Sequence, residues 1–439
     1  MPRELSPFEL DRELSRVAPR AIAAYRALRS GREVTLTVPD ALTDPETIER
    51  IAGDRTDPIA PALMRWLYWL QLMQRGLALE GARVRCYRAQ RHALDTPLSG
   101  SFTWRELLGH ALRDQARRPA LLELLFARGA ELRDAATRLH ELRAELPSFG
   151  AGAAQRSRVE LELPCPDIAA CARSFLERSA DAYQNLEAGS LSEVLELGLA
   201  HAADDGWPRQ LSLRSLHDLL GERDWLSDLR PELGELPAPM SAASFARGML
   251  RLGAAWSEAL ASTARPFALA RDPFGLARCT HGALFAGLVT SAVFLNRQLG
   301  VGKTKAAGHA RALSASALLF ARQMALRVML DEPALRGPDS LREAFSEHAT
   351  RTLGFELPEV AAGLFFRPRV GDAQRLAGIL LAATRAQRLA EEHDDDWFRN
   401  PRAIEQLRAE AREPVTTTCT SEQLASGATT LLRSLTEQL

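Results

Sequence analysis

Lysine is almost missing from this chain: Lys303 and Lys305 are the only two, and the rest of the 55 basic residues are arginine. With the abundant alanine and leucine, this usage matches a GC-rich genome rather than a function. Excess charge is lacking too. The 55 basic residues meet 56 acidic ones, for a net charge of -1 and a pI near 6.8, which excludes a global field that would recruit nucleic acid or an acidic membrane surface. Five cysteines (Cys86, Cys165, Cys171, Cys279 and Cys419) are odd in number and scattered, with no Cys-x-x-Cys pair. That argues against a zinc ribbon or a disulfide scaffold and favours a reducing compartment. The apolar run 282–296 is too short and too well flanked by polar residues to span a bilayer, and Met1-Pro2-Arg3-Glu4-Leu5 has no signal-peptide core. The expected location is therefore the cytoplasm. There is no internal repeat and no low-complexity tract.

What is present is enough for a large core: 439 residues, 46% hydrophobic and 25% charged, the size of two or three lobes. Apolar spacing predicts helices over 6–30, from Asp57-Pro58 through Met73, over 103–146 with a split near Arg117-Arg118-Pro119, and over 308–331, 340–353, 371–393 and 401–411. The segment 166–263 alternates helices with breaks at Gly206-Trp207-Pro208, Pro231 and Pro237-Ala238-Pro239. Strand-like alternation occurs at Glu33–Val38, Ala82–Arg88 and Val159–Leu163, and 148–154 reads as a flexible linker. The expected class is mainly α with a small β element in the N-terminal half, divided into an N-terminal lobe, 1–150, and a C-terminal lobe, 151–439.

Arg278-Cys279-Thr280-His281-Gly282-Ala283-Leu284-Phe285-Ala286 is the most informative stretch. A histidine opens an apolar run extending to Leu295, a pattern that predicts a buried helix. Zincins carry His-Glu-x-x-His on such a helix, with two imidazoles one turn apart on the metal and the glutamate as general base. Here Gly282 holds the glutamate position and Phe285 the second histidine position, so neither chelate nor base forms in the usual way. Gly300-Val301-Gly302-Lys303-Thr304 ends like a phosphate-binding loop, but Arg297 stands where the first glycine belongs and no strand precedes it, so a solvated turn is expected. His393-Asp394-Asp395-Asp396-Trp397 reads as a turn whose acids cap the next helix. His201, His217, His309 and His348 are isolated, with no second histidine at helical spacing. Gly-x-Ser-x-Gly is absent, and Cys279 has no acidic orienter nearby in sequence.

Three passages give the chain a family resemblance. Asp395-Asp396-Trp397-Phe398-Arg399-Asn400-Pro401-Arg402-Ala403 is close to an acid-Trp-aromatic-Arg-Asn-Pro-Arg segment. Leu313-Ser314-Ala315-Ser316-Ala317-Leu318-Leu319-Phe320, leading to Leu330-Asp331-Glu332-Pro333-Ala334-Leu335, looks like a ligand-bearing helix. Leu63-Met64-Arg65-Trp66-Leu67 and Arg265-Pro266-Phe267 resemble upstream landmarks in the same order. Together they resemble the thimet-type (M3) zinc oligopeptidases and their shorter bacterial relatives, which implies a bilobal helical fold.

The resemblance also implies where the functional parts belong. His281 matches the first zinc ligand, the base falls on Gly282, the second ligand on Phe285 and the third on about Ser314. The oxyanion-stabilising tyrosines fall near Gly371 and Arg375, whereas the last tyrosine of this chain is Tyr183. Between Phe267 and His281 there are too few residues for the family's substrate-pairing strand. The expectation is a catalytically inactive pseudo-peptidase with no metal and no cofactor. It would bind a peptide or protein partner, and neither nucleic acid nor membrane, in a former cleft that includes Arg265, Phe267, His281 and Arg375. One alternative is a non-catalytic subunit paired with an active peptidase paralogue. Another is an enzyme of changed, metal-independent chemistry built on His281 with Cys279, Asp372 or Arg375.

Overall fold

The computed structural model describes the whole chain except residues 1–4, 30, 33, 55, 96–97, 128–129, 146–147, 150–155, 213–217, 219–224, 227–238, 360, 363–365 and 414. His217, Glu33, Pro231, Pro237-Ala238 and most of the 148–154 linker therefore lie outside the described residues. The fold is mainly α, 71% helical against 3% strand. Its N-terminal part runs α1 (Pro7–Arg29), α2 (Pro45–Gly53), α3 (Ala60–Arg88), a hairpin of β1 (Arg91–Leu94) and β2 (Gly100–Thr103), then α4 (Trp104–Arg113), α5 (Arg118–Ala127) and α6 (Ala130–Ala144). A second antiparallel pair, β3 (Ser148–Phe149) and β4 (Arg156–Ser157), precedes α7 (Arg158–Glu162), α8 (Ile168–Arg178), α9 (Ala180–Gln184) and α10 (Leu191–Gly198). The remainder is α11 (Ala242–Leu260), α12 (Phe267–Ala270), α13 (Leu276–Gly287), α14 (Ala292–Arg297), α15 (Lys303–Met329), α16 (Asp331–Arg336), α17 (Pro338–Leu353), α18 (Asp372–His393), α19 (Pro401–Arg412) and α20 (Ser421–Thr436).

The long amphipathic helices stand close to where their spacing puts them, but the strands do not. Residues 82–88 continue α3, because Gly76, Glu80, Gly81 and Val84 bury one helical face. Residues 158–162 are helical because the Ser157 hydroxyl caps the Glu160 amide. Residues 34–39 carry no regular structure. The β element of the N-terminal half is instead the 91–103 hairpin. The apolar run at His281 is two helices, broken by a 3-10 turn at Leu288–Thr290 and restarted by the Ser291 cap on the Phe294 amide. Arg118 lies fully buried, donating to the Ala111 carbonyl at 2.8 Å and to Glu196 at 2.9 Å, so the 103–146 helices do not keep all their arginines outside.

Glycines bring the C-terminal helices into backbone contact. A Cβ on Gly282 of α13 would lie 2.8 Å from the Leu250 carbonyl oxygen of α11, and one on Gly253 of α11 would overlap the His281 carbonyl. On the other side of α13, a Cβ on Gly378 of α18 would stand 2.7 Å from Cys279. Gly427 of α20 meets Leu380 of α18 in the same way. Phe285 fills the space beside this seam, its ring 4.7 Å from Trp225 and 5.5 Å from Trp256. Among the described residues the one helical stretch long and apolar enough to cross a membrane, Lys303–Arg336 (α15 and α16), has 72% of its apolar window buried inside the protein, so its hydropathy reflects a core role.

A buried charge network joins the N-terminal helices to the C-terminal ones. Arg143 of α6 donates to Glu162 at 2.5 Å and to Asp331 at 2.8 Å, Arg158 reaches Asp331 at 3.1 Å, and the Tyr68 hydroxyl donates to Glu162 at 3.1 Å. Beside it His140 is buried, with neither ring nitrogen hydrogen-bonded among the described residues. Three of the scattered cysteines also meet. Burial and the neighbouring Cys165 and Cys171 push the Cys419 thiol up to about 12, and Cys165 Sγ lies 3.5 Å from the Ser421 hydroxyl.

Candidate functional site

The site starts from the segment 265–276, held in place by the N-terminal helices. The Asp11 carboxylate of α1 accepts from the Phe267 and Ala268 amides at 2.8 and 2.7 Å, satisfying donors at the start of α12. Trp66 of α3 donates its indole N–H to the Arg271 carbonyl at 2.9 Å and packs on Phe267, so two of the passages that carried the resemblance touch each other. Asp272, buried and paired with Arg65 at 3.1 Å, accepts from the Phe274, Gly275 and Leu276 amides and so caps α13. Gly275 allows the turn, with φ of 77°.

Five residues into α13, His281 reaches a cavity of about 1320 Å³. Its other walls come from α1 and α3, the end of α11, α18 from Arg375 to Arg388, and the end of α19. His281 is 3% exposed. Its Nδ1–H donates to the Ala277 carbonyl at 2.9 Å and its Nε2 accepts from Arg385 at 3.0 Å. Burial, and then the Arg385 charge, lower its pKa from 6.5 to about 3, so the ring is neutral with both nitrogens engaged. Arg385 also pairs with Glu410, which accepts from Arg388 at 2.6 Å.

The sequence-expected positions separate here. His281, Phe267, Gly371 and Arg375 are in the cavity wall; among the described residues Gly282, Phe285, Ser314 and Arg265 are not. Gly282 and Phe285 face α11, Arg265 pairs with Glu413 at 3.3 Å, and Ser314 is fully buried with no hydrogen-bond partner for its hydroxyl among the described residues. Arg375 donates to Asp372 at 2.5 Å, and Asp372 also accepts from the Arg369 amide. Zinc does not fit. The only imidazole at the expected place gives its free lone pair to Arg385, and no group of three or more His, Cys, Asp or Glu among the described residues is arranged around an ion. Cys279 is no better placed as a nucleophile, since burial raises its pKa and it stands two residues from His281 on the same helix, off its face.

No protein-family model matches the chain, and no curated protein matches it in sequence. The likeness to M3 peptidases thus rests on the short passages quoted above, and the structure gives two of them core roles. Trp397 and Phe398 are buried around Trp225, whose indole donates to the Phe398 carbonyl at 2.9 Å. Asn400 caps α19 through the Arg402 amide, and Asp396 pairs with Arg297. Asp331 and Glu332 hold Arg143 and Arg158. His393 bonds Gln406 at 2.8 Å, His201 bonds Asp204 at 3.0 Å, and His309 packs on Trp207. Gly300 to Gly302 carry no regular structure before α15, and Val301 between them is buried, its amide donating to the Leu295 carbonyl at 3.0 Å, so this is not the solvated turn expected.

Sequence reading missed Arg385, Arg388, Glu410, Glu258 and Arg278. Their only signal would have been charge, and in a chain with this many arginines each looks like a solvated face until a partner 22 or 104 residues away is known.

The two neutral imidazoles set a pH dependence. His140, like His281, is pushed down to about 3, by burial and then by Arg143 and Arg367. In the unfolded chain both return to an ordinary value near 6.5. Below that value the unfolded state takes up protons that the folded state refuses, so this stability is complete above pH 6.5 and is lost as pH falls toward 3. The urea midpoint is expected to be lower at pH 5 than at pH 7, and His140→Leu is expected to shrink the difference. Equal midpoints at the two values would show that the rings are not buried as described.

Proposed function

We propose that the protein is a peptidase-like scaffold without peptidase chemistry that binds a peptide or a segment of a protein partner in this cavity and leaves it intact. The observation that carries the reading is the combination of a roughly 1320 Å³ cavity with a wall histidine whose two nitrogens are both bonded inside the protein. The volume exceeds the about 300–1,000 Å³ of ordinary small-molecule sites. Walls from both 1–150 and 151–439 support a two-lobed arrangement with the occupant between the lobes. Binding would not be by strand addition, since among the described residues neither hairpin contributes to the wall. Five free thiols support a cytoplasmic location.

The test is incubation of the purified protein with a peptide library, followed by native mass spectrometry and product analysis with and without added zinc. Retained, uncut peptides are the expected result. Zinc-dependent products abolished by His281→Ala would overturn the reading, and so would a failure to retain any peptide.

A further inference from the structure

We propose that the cavity selects an acidic occupant, a peptide segment whose several Asp or Glu carboxylates are taken by arginines of the wall. This rests on the reading of the cavity as a peptide site and adds the chemistry of what enters it.

The wall holds seven arginines and four carboxylates in a protein whose net charge is -1, so the positive excess is local. Two of the four carboxylates are engaged from outside: Asp272 by Arg65 and three backbone amides, Glu413 by Arg265. The other two are each shared by a pair of wall arginines. Glu258 accepts from Arg26 at 3.1 Å and Arg278 at 2.9 Å, and Glu410 serves both Arg385 and Arg388. Arg271 has no carboxylate partner among the described residues; its guanidinium lies 5.1 Å from the centre of the Phe267 ring. Among the described residues Arg375 pairs only with Asp372 of its own helix.

Guanidinium groups in a concave, partly desolvated wall focus positive potential and bind carboxylates through paired donors. Burial, and then the neighbouring Arg388 charge, lower the Arg385 pKa to about 10, whereas at Arg278 burial is outweighed, chiefly by Glu258, and the pKa is raised. The arginines are spread over α1, the 271–278 segment and the length of α18, so one compact anion would meet few of them. An extended acidic segment would meet more.

The experiment is fluorescence anisotropy of the full chain with labelled hexaglutamate, with hexaserine and hexalysine as comparisons and inorganic tripolyphosphate as competitor. Hexaglutamate is expected to bind at least about tenfold tighter than hexaserine, and to weaken by at least about tenfold between roughly 0.05 and 0.5 M salt. Arg271→Gln is expected to weaken it about fivefold and Arg271→Gln with Arg375→Gln further, while Arg342→Gln, on the distant α17, leaves it unchanged. Equal or tighter binding of hexaserine or hexalysine would overturn the acidic preference and leave the peptide site standing. Binding of tripolyphosphate with no binding of hexaglutamate would also overturn it, pointing to a phosphate ligand. If no peptide of any charge binds, the cavity reading itself fails.

Discussion

Gly282→Glu, the substitution that would restore the general base of a zincin, is expected to lower folding stability by about 5 kcal/mol and to produce no metal-dependent cleavage. A Cβ at 282 already stands 2.8 Å from the Leu250 carbonyl oxygen, so any side chain must push α11 away from α13. Overpacking of this kind costs about 1–3 kcal/mol. A carboxylate in the same seam adds the larger penalty of a buried, unpaired charge, of the order of several kcal/mol. Gly282→Ala separates the two, since it carries only the steric part. Urea unfolding of the three proteins measures both contributions, and zinc titration with a quenched peptide checks the chemistry. A glutamate variant as stable as the parent would mean that the two helices are not in backbone contact.

Arg143→Met is the second large effect, with an expected loss of about 3–5 kcal/mol. Methionine nearly fills the arginine's volume, so the loss comes from charge. Glu162, 2% exposed, and Asp331 would be left facing each other with Arg158 as their nearest cation. In the parent, burial alone would raise the Asp331 pKa, but Arg143 and Arg158 outweigh it and hold it below the ordinary 3.8. The pair therefore stabilises the fold above pH 3.8 and loses this contribution as acid protonates the carboxylate. In the variant that acid step is expected to shrink. Arg143→Met combined with Asp331→Asn should recover part of the loss, because it removes one of the stranded charges. Urea midpoints at neutral and acid pH distinguish these outcomes, and a single-variant loss under about 1 kcal/mol would show that the network is solvated.

The fold was legible where spacing was long. The residues of α1, α15, α17, α18 and α19 lie within a few positions of their sequence-read bounds, because three or more turns of apolar periodicity cannot be mistaken for a strand. Short alternations fit both periods, which is why 82–88 and 159–163 looked extended. The hairpin that exists was hidden for the opposite reason: Arg91-His92-Ala93-Leu94 and Gly100-Ser101-Phe102-Thr103 contain one β-branched residue between them. At the site, His281 was conspicuous because an apolar run surrounds it. Its partners were not, since Arg385 and Glu410 acquire meaning only through a three-dimensional contact. Gly282 looked like a lost residue in one-dimensional comparison, whereas in the packed helices it is a steric requirement.

The contact between Asp11 and the start of α12 has a kinetic consequence. The Phe267 and Ala268 amides are sealed by a carboxylate 256 and 257 residues earlier in the chain. Their hydrogen-exchange lifetimes therefore report how long α1 stays docked, independently of whether α12 itself remains wound. An occupant that bridges the α1 and α18 walls of the cavity would slow exchange at these two amides without touching either one.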